Sequence, residues 1–147
     1  MQILFVCQSN TFRSVAAEYY FNNLSKKHRA ISAGLKANKF PGQKIGEAVK
    51  DYPEADSIWS KLDISRFMYD KIPKKLNQEM VETSGKIIIL LEDKSLIPDY
   101  LAKLNKVEFW KIQDGVTGSG KLKSLSTHKK IVKQIKNKII ELITQLD

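Results

Sequence analysis

Strands alternating with helices predict an α/β chain of 147 residues, folded as one domain on a four-stranded parallel sheet with helices on both faces. Three observations predict it. A short apolar run, Ile3 to Val6, opens the chain and gives way to polar, turn-forming residues and then to helical spacing. Lys86 to Leu91 (KIIILL) is apolar at consecutive positions, the pattern of a central parallel strand buried on both faces. The chain closes on an amphipathic stretch whose apolar stripe is Ile131, Ile135, Ile139, Leu142, Ile143 and Leu146.

The first strand ends at Cys7. From Val15 onward Ala17, Phe21 and Leu24 fall at i, i+4 and i+7, with Ala16 and Tyr20 beside them, so a tight loop joins this strand to a helix. Arg29 to Gly34 reads as a second strand ending at a glycine, and residues 36–42, with Pro41, as one wall of a mouth. Ile45, Ala48 and Val49 space a helix over 43–52, stopped by Pro53. Trp59 and Leu62 read as core or rim contacts. A helix from Pro73 into Val81 carries Leu76 and Met80, with proline in its first turn. Glu92 and Asp93 follow the central strand on the carboxyl edge of the sheet, where ligands of open α/β folds bind; capping of a helix over 94–101 accounts for them equally well, and no chemistry is assigned to them. Residues 107–112 read as the fourth strand, and the last helix spans Ser124 to Leu146. The order is β-α-β-α-α-β-α-β-α, with right-handed crossovers.

No apolar run reaches the length of a membrane span, and the N-terminal run is too short for a signal peptide. The single cysteine excludes an internal disulfide and suits a reducing compartment, so the expected location is cytoplasmic. The net charge of +9 points toward polyanions. However, Lys121, Lys123, Lys129, Lys130, Lys133, Lys136 and Lys138 cluster mostly opposite the apolar stripe, as a solvated helix face does. No aromatic residues interleave them to stack bases, so no dedicated nucleic-acid or membrane binding is expected.

The chemistry gathers in the first loop. The leading amides of a helix have no partner within it and carry the positive end of its dipole, which makes a strand-loop-helix junction an anion site. Cys7 opens the loop and Arg13 closes it. Amides and a guanidinium facing the sulfur favour the thiolate, the form that attacks electrophiles. The planar fork of Arg13 matches two oxygens of a phosphate-like dianion. The alternative for Cys7 is a small buried residue at a strand end.

Cys-x5-Arg-Ser directly after the first strand, Asn10 within the loop, and Ser32-Ala33-Gly34 after the second strand resemble the low-molecular-weight protein tyrosine phosphatases and arsenate reductases. The resemblance implies a Rossmann-like phosphatase I fold and a phosphomonoesterase acting on phosphotyrosine in proteins through a phosphocysteine intermediate. It implies Cys7 as nucleophile, residues 8 to 14 (Gln8, Ser9, Asn10, Thr11, Phe12, Arg13 and Ser14) as the phosphate cradle, and Asn10 and Ser32 as loop support. For Ser32 a strand-end serine bonding its own turn is the competing reading. Asp114 matches the aspartate that protonates the leaving group, but Gly115 stands where the family has proline. That loosens the loop, so a proline at 115 is expected to raise turnover; a turn-forming Asp-Gly is the other reading of the pair. Relatives carry a loop-bracing histidine where this chain has Arg66, Phe67 and Met68. Arsenate reduction linked to thioredoxin needs further cysteines, which this chain lacks.

The resemblance implies phosphorylated proteins or small phosphomonoesters as partners, inhibition by phosphate or vanadate, and no cofactor or metal. Thr11 stands where phosphoarginine phosphatases of the family have threonine, which makes phosphoarginine a rival substrate. Phe40 at the mouth is placed to stack on a phosphotyrosine ring or to join the core. Two further alternatives are a phosphate-binding pseudoenzyme weakened at Gly115, and a nucleotide binder using Gly115 to Lys121, which satisfies Gly-x4-Gly-Lys. Against the latter, Leu122 replaces the magnesium-binding hydroxyl and no later strand remains to present a carboxylate.

Overall fold

In the computed structural model, which describes residues 1–37 and 39–147, β1 (Gln2–Cys7) lies inside the sheet, between β2 (Arg29–Gly34) and β3 (Lys86–Leu91). With β4 (Val107–Lys111) the order is β2-β1-β3-β4, and all pairs are parallel. Alternate residues of the central strands serve two cores. Ile3, Phe5, Ile88 and Leu90 face one side, and Leu4, Val6, Ile87, Ile89 and Leu91 the other. Both faces are covered, which is why β1 and β3 read as continuous apolar runs. The first core is closed by α1 (Arg13–Leu24) and α7 (Leu125–Leu146), which pack on each other, and by α2 (Ile45–Ala48), α3 (Pro53–Trp59) and α4 (Ser65–Tyr69). The second is closed by α5 (Gln78–Thr83) and α6 (Asp99–Ala102). No helix among the described residues is long and apolar enough to cross a membrane.

Several helices differ from their sequence pattern for identifiable reasons. Residues 73–76 are not helical, because the chain there pairs with the end of β2: Gly34 N–H donates to the Lys74 carbonyl (2.8 Å) and Leu76 N–H to the Gly34 carbonyl (2.9 Å). The helix starts instead at Gln78, where the Asn77 side chain accepts from Met80 N–H. The stretch 94–101 is interrupted at Ile97, which lies in the extended conformation that a following proline favours. The helix over 43–52 shortens to α2 plus a single turn of 3-10 helix, Val49–Asp51; Gly46 weakens its middle. Pro53 both stops that segment and opens α3. In α1, which begins at Arg13, the terminal Leu24 is exposed rather than buried, since a last-position residue has helix on one side only. Ile143 and Leu146 of the α7 stripe are half-buried, whereas Trp59 and Leu62 belong to the core.

Candidate active site

Chain order reverses beside β1: the chain steps from β1 to β2 on one side and returns to β3 on the other. In parallel sheets the crevice outside the carboxyl ends of strands at such a reversal is where ligands bind. Cys7, the last residue of β1, stands at that edge, 2% exposed, and the loop after it leads into α1 at Arg13. Among the described residues, none of the backbone N–H groups of residues 8 to 12 donates a hydrogen bond. Almost all backbone donors in folded proteins are paired, so a run of free ones at a helix start is a preformed anion cradle.

A chain of polar contacts holds this loop in shape. Asn10 sits in the left-handed region at φ 56°, a conformation asparagine tolerates better than most residues, and it is fully buried. Its side-chain amide donates to Ser14 Oγ (2.8 Å) and Ser32 Oγ (2.9 Å), and its Oδ1 accepts from Lys74 N–H (2.9 Å). Because Asn10 donates to Ser14, the Ser14 hydroxyl hydrogen is left for Cys7 Sγ, 3.0 Å away. Ser32 in turn donates to Glu18 Oε1, and Glu18 is gripped by Lys71 Nζ at 2.9 and 3.1 Å. Lys71 also lies 5.5 Å from the Phe67 ring centroid. The Lys71–Glu18 pair thus stands behind Ser32 and Asn10 at the end of one chain of polar contacts. Gly34 completes the support by close approach: a Cβ there would stand 2.9 Å from Asn10 N, Gln8 O and Ser9 C.

Arg13 and Asp114 meet across the mouth. Arg13 is buried; its Nη1 donates to the Ile112 carbonyl (3.1 Å), just past β4, and its Nη2 lies 3.3 Å from Asp114 Oδ2. Asp114 is held by its backbone as well as its charge: its N–H donates to Glu92 Oε1 at 2.6 Å, and Lys123 Nζ stands 3.6 Å from the same oxygen. The hydrogen bond from Asp114, helped by the Lys123 and Arg13 charges, keeps the Glu92 carboxyl below its ordinary range despite some burial. Asp114 Oδ1 also accepts from Val116 N–H (3.3 Å), so the aspartate makes the Asx-type turn and faces Arg13 at once.

The structure corrects the expectation of a gain from proline at position 115. A Cβ at this position would lie 2.5 Å from His128 Nε2, and the His128 ring is buried and packed on Phe12 at 4.9 Å between centroids. A proline therefore has no room there, and the expected gain from it is withdrawn. The Gly115 to Lys121 segment, the alternative phosphate loop, is built as a bridged turn. Val116 pairs antiparallel with Leu122, and the amides of Thr117, Gly120, Lys121 and Lys123 are engaged within the segment. The segment does not lead into a helix start: α7 begins only at Leu125, with Ser124 as its cap.

A pocket of about 30 Å³ is lined by Cys7, Ser9, Thr11, Phe12, Arg13, Lys39, Asp114, Gly115 and Val116. The side chains of Asn10 and Ser14 lie behind this wall as braces, and Gln8 offers its carbonyl to Lys36 and Ala37 N–H. From the Lys39 and Val116 side a groove of about 760 Å³ continues past Phe40, Tyr52 and Trp59. Phe40 packs on Tyr52 with centroids 5.6 Å apart. The expected mouth wall 36–42 includes residue 38, which lies outside the described residues. Sequence reasoning noted Glu92 without assigning it chemistry, and it missed Glu18, Lys39, Lys71 and His128. Of these only Glu18 carried a signal, as an acid on the apolar side of α1 between Ser14 and Phe21.

The sequence profile described as low molecular weight phosphotyrosine protein phosphatase matches residues 2–147. Among solved structures, a YwlE mutant from Bacillus subtilis is similar with a TM-score of 0.68 at 23% identity, covering 99% of this chain and 98% of that one. YwlE as an arginine phosphatase with a phosphorylated active-site serine gives 0.63 at 22%, over 99% and 95%. A low molecular weight protein tyrosine phosphatase from T. tengcongensis gives 0.58 at 26% identity over 99% of both chains. An arsenate reductase in the oxidized state gives 0.67 at 20%, over 99% and 98%. No curated protein matches the chain.

Proposed function

The chain belongs to the low molecular weight phosphotyrosine protein phosphatase family and is a phosphatase of the hydrolase class, and we propose that it cleaves phosphotyrosine in proteins through a phosphocysteine on Cys7. The observation that supports this most is the set of free backbone donors between Cys7 and Arg13, with Asp114 3.3 Å from the guanidinium. In this reading the Cys7 thiolate attacks phosphorus as the bond to the leaving oxygen breaks, and Asp114 gives that oxygen its proton. Water then attacks the phosphocysteine, Asp114 takes the proton back, and phosphate leaves with the thiolate restored. The amides of residues 8 to 13 and the Arg13 fork hold the equatorial oxygens in both steps, so catalysis is positioning and charge stabilisation. The Ser14 hydroxyl, freed by Asn10, stabilises the thiolate. With Cys7, Arg13 and Asp114 together at one pocket, a turning-over enzyme is favoured over a pseudoenzyme. A nucleophilic thiol with no second cysteine suits the cytoplasm.

Phosphoarginine is the second reading, supported by Thr11, whose hydroxyl-bearing side chain lines the pocket beside Arg13. A panel of aryl phosphate, phosphotyrosine peptide and phosphoarginine peptide decides the substrate. Rapid quenching should trap phosphate on Cys7 in the wild type, vanadate should inhibit as a mimic of pentavalent phosphorus, and Cys7→Ser should abolish turnover while keeping the fold. Retained turnover in Cys7→Ser would sink the mechanism.

A further inference from the structure

Behind the Asp114 turn lies a histidine that the reaction as described does not use. His128 stands in the first turn of α7 and is 1% exposed. Its Nδ1 is 3.0 Å from the Ser124 carbonyl oxygen. A carbonyl only accepts, so Nδ1 bears the hydrogen and Nε2 of the neutral ring is a bare lone pair. That Nε2 is fully buried and has no hydrogen-bond partner among the described residues. One side of the ring packs on Phe12, which lines the phosphate pocket. The other edge occupies the Cβ site of Gly115, with Nε2 2.5 Å and Cδ2 and Cε1 3.2 Å from where that carbon would be.

We propose that His128 is a positioning residue for Asp114: its ring is the wedge that sets the distance between the Asp114 turn and the Cys7 loop, and position 115 is glycine because the ring fills the space of a side chain. The inference rests on the reading of Asp114 as proton donor. A lone buried polar edge with no partner costs free energy, and a loop seated against it trades that cost for rigidity. The turn is otherwise tied by hydrogen bonds and charge: Asp114 N–H donates to Glu92 Oε1, Val116 N–H to Asp114 Oδ1 and Lys123 N–H to the Gly115 carbonyl (2.8 Å), and Arg13 pairs with Asp114 Oδ2. The ring is the packing contact between those ties. A turn that drifts by about 1 Å moves the carboxyl off the leaving oxygen, at a cost on the order of 100-fold in rate.

The test measures kcat and KM of full-length enzyme on phenyl phosphate and p-nitrophenyl phosphate for Gly115→Ala, His128→Asn, the double variant and Asp114→Asn. His128→Asn keeps an N–H donor for Ser124 but removes the ring edge. Gly115→Ala should lower kcat/KM, which reports the phosphorylation step, roughly tenfold or more for phenyl phosphate and much less for p-nitrophenyl phosphate, because only the poorer leaving group needs the proton there; hydrolysis of the shared phosphocysteine affects kcat for both alike. In the His128→Asn background the same substitution should cost less than about threefold, since the obstructing atoms are gone. A purely structural effect would depress both substrates alike. If Gly115→Ala fails to fold, His128→Asn decides by itself, and it must lose phenyl phosphate turnover selectively. An uncoupled Gly115→Ala penalty, or equal losses of kcat/KM on both substrates, overturns the proposal while a leaving-group-selective loss of kcat/KM in Asp114→Asn leaves the acid assignment standing. An unselective Asp114→Asn overturns both.

Discussion

Replacing Lys71 by methionine tests whether the polar chain behind the loop is held by a buried charge pair. Lys71 Nζ reaches both Glu18 oxygens, at 2.9 and 3.1 Å, and the side chains are only 15% and 11% exposed. Removing one partner of such a pair leaves the other charge buried and alone, at a cost of roughly 3–5 kcal/mol in fully buried cases. Some exposure remains, so about 3 kcal/mol is expected. At roughly 2–4 °C per kcal/mol for a chain of this size, Tm should fall by about 6–12 °C. Adding Glu18→Gln should recover most of it: the amide oxygen still accepts from Ser32, and no unpaired charge is left. Thermal denaturation of the wild type, both single variants and the double variant gives the coupling directly. A Lys71→Met loss below about 1 kcal/mol, the size of a solvent-exposed pair, would refute the account. So would a double variant no more stable than Lys71→Met.

Arg13→Lys should cripple turnover, because an ammonium cannot grip the Ile112 carbonyl and Asp114 while presenting a fork to phosphate; near wild-type kcat/KM would remove the Cys7 loop from the reaction. Thr11→Ile should raise the ratio of phosphotyrosine to phosphoarginine kcat/KM, since a purely aliphatic wall disfavours a guanidinium; an unchanged ratio means Thr11 does not choose the substrate. Lys121→Ala should leave phosphatase activity unchanged, and tight ATP binding lost in that variant would restore the nucleotide loop.

The parts of the molecule legible in the sequence are those set by local pattern. β1, β3 and α7 declare themselves because burial on two faces, or on one stripe, leaves a periodic record. Cys7 and Arg13 are legible because only five residues separate them on one loop. Residues 73–76 misread as helix because their conformation is decided by pairing with Gly34, a contact no local window contains. The same limit hid Lys71, His128 and the tie from Asp114 to Glu92. Each acts on the loop or on the Asp114 turn from a distant part of the chain, and topology alone makes them neighbours. The sequence offers Gly115 for its freedom in φ, whereas the structure sets a ring of α7 against the place of its Cβ.

Glu92 gives that long-range support a pH signature. Its carboxyl is held below its ordinary value of 4.5, first by the Asp114 N–H and then by Lys123 and Arg13. A group whose pKa is lower folded than unfolded contributes stability that is fully present above the unfolded value and is lost as pH falls through the folded one. The window therefore lies below 4.5, and the contribution is constant through neutral pH. The side chain is 49% exposed, so solvent screens the charges and the backbone hydrogen bond carries most of the effect. Against Glu92→Gln, the wild type should keep a constant Tm advantage above about pH 5 and lose it progressively below about pH 4. Protonation also weakens the tie on Asp114, so Glu92→Gln at neutral pH should slow phenyl phosphate more than p-nitrophenyl phosphate, in the same sense as loosening the turn from the His128 side. A Tm advantage that changes between about pH 6 and pH 8 would assign the dependence to another group. Equal slowing of both substrates would mean that Glu92 holds the fold at this edge and not the proton donor.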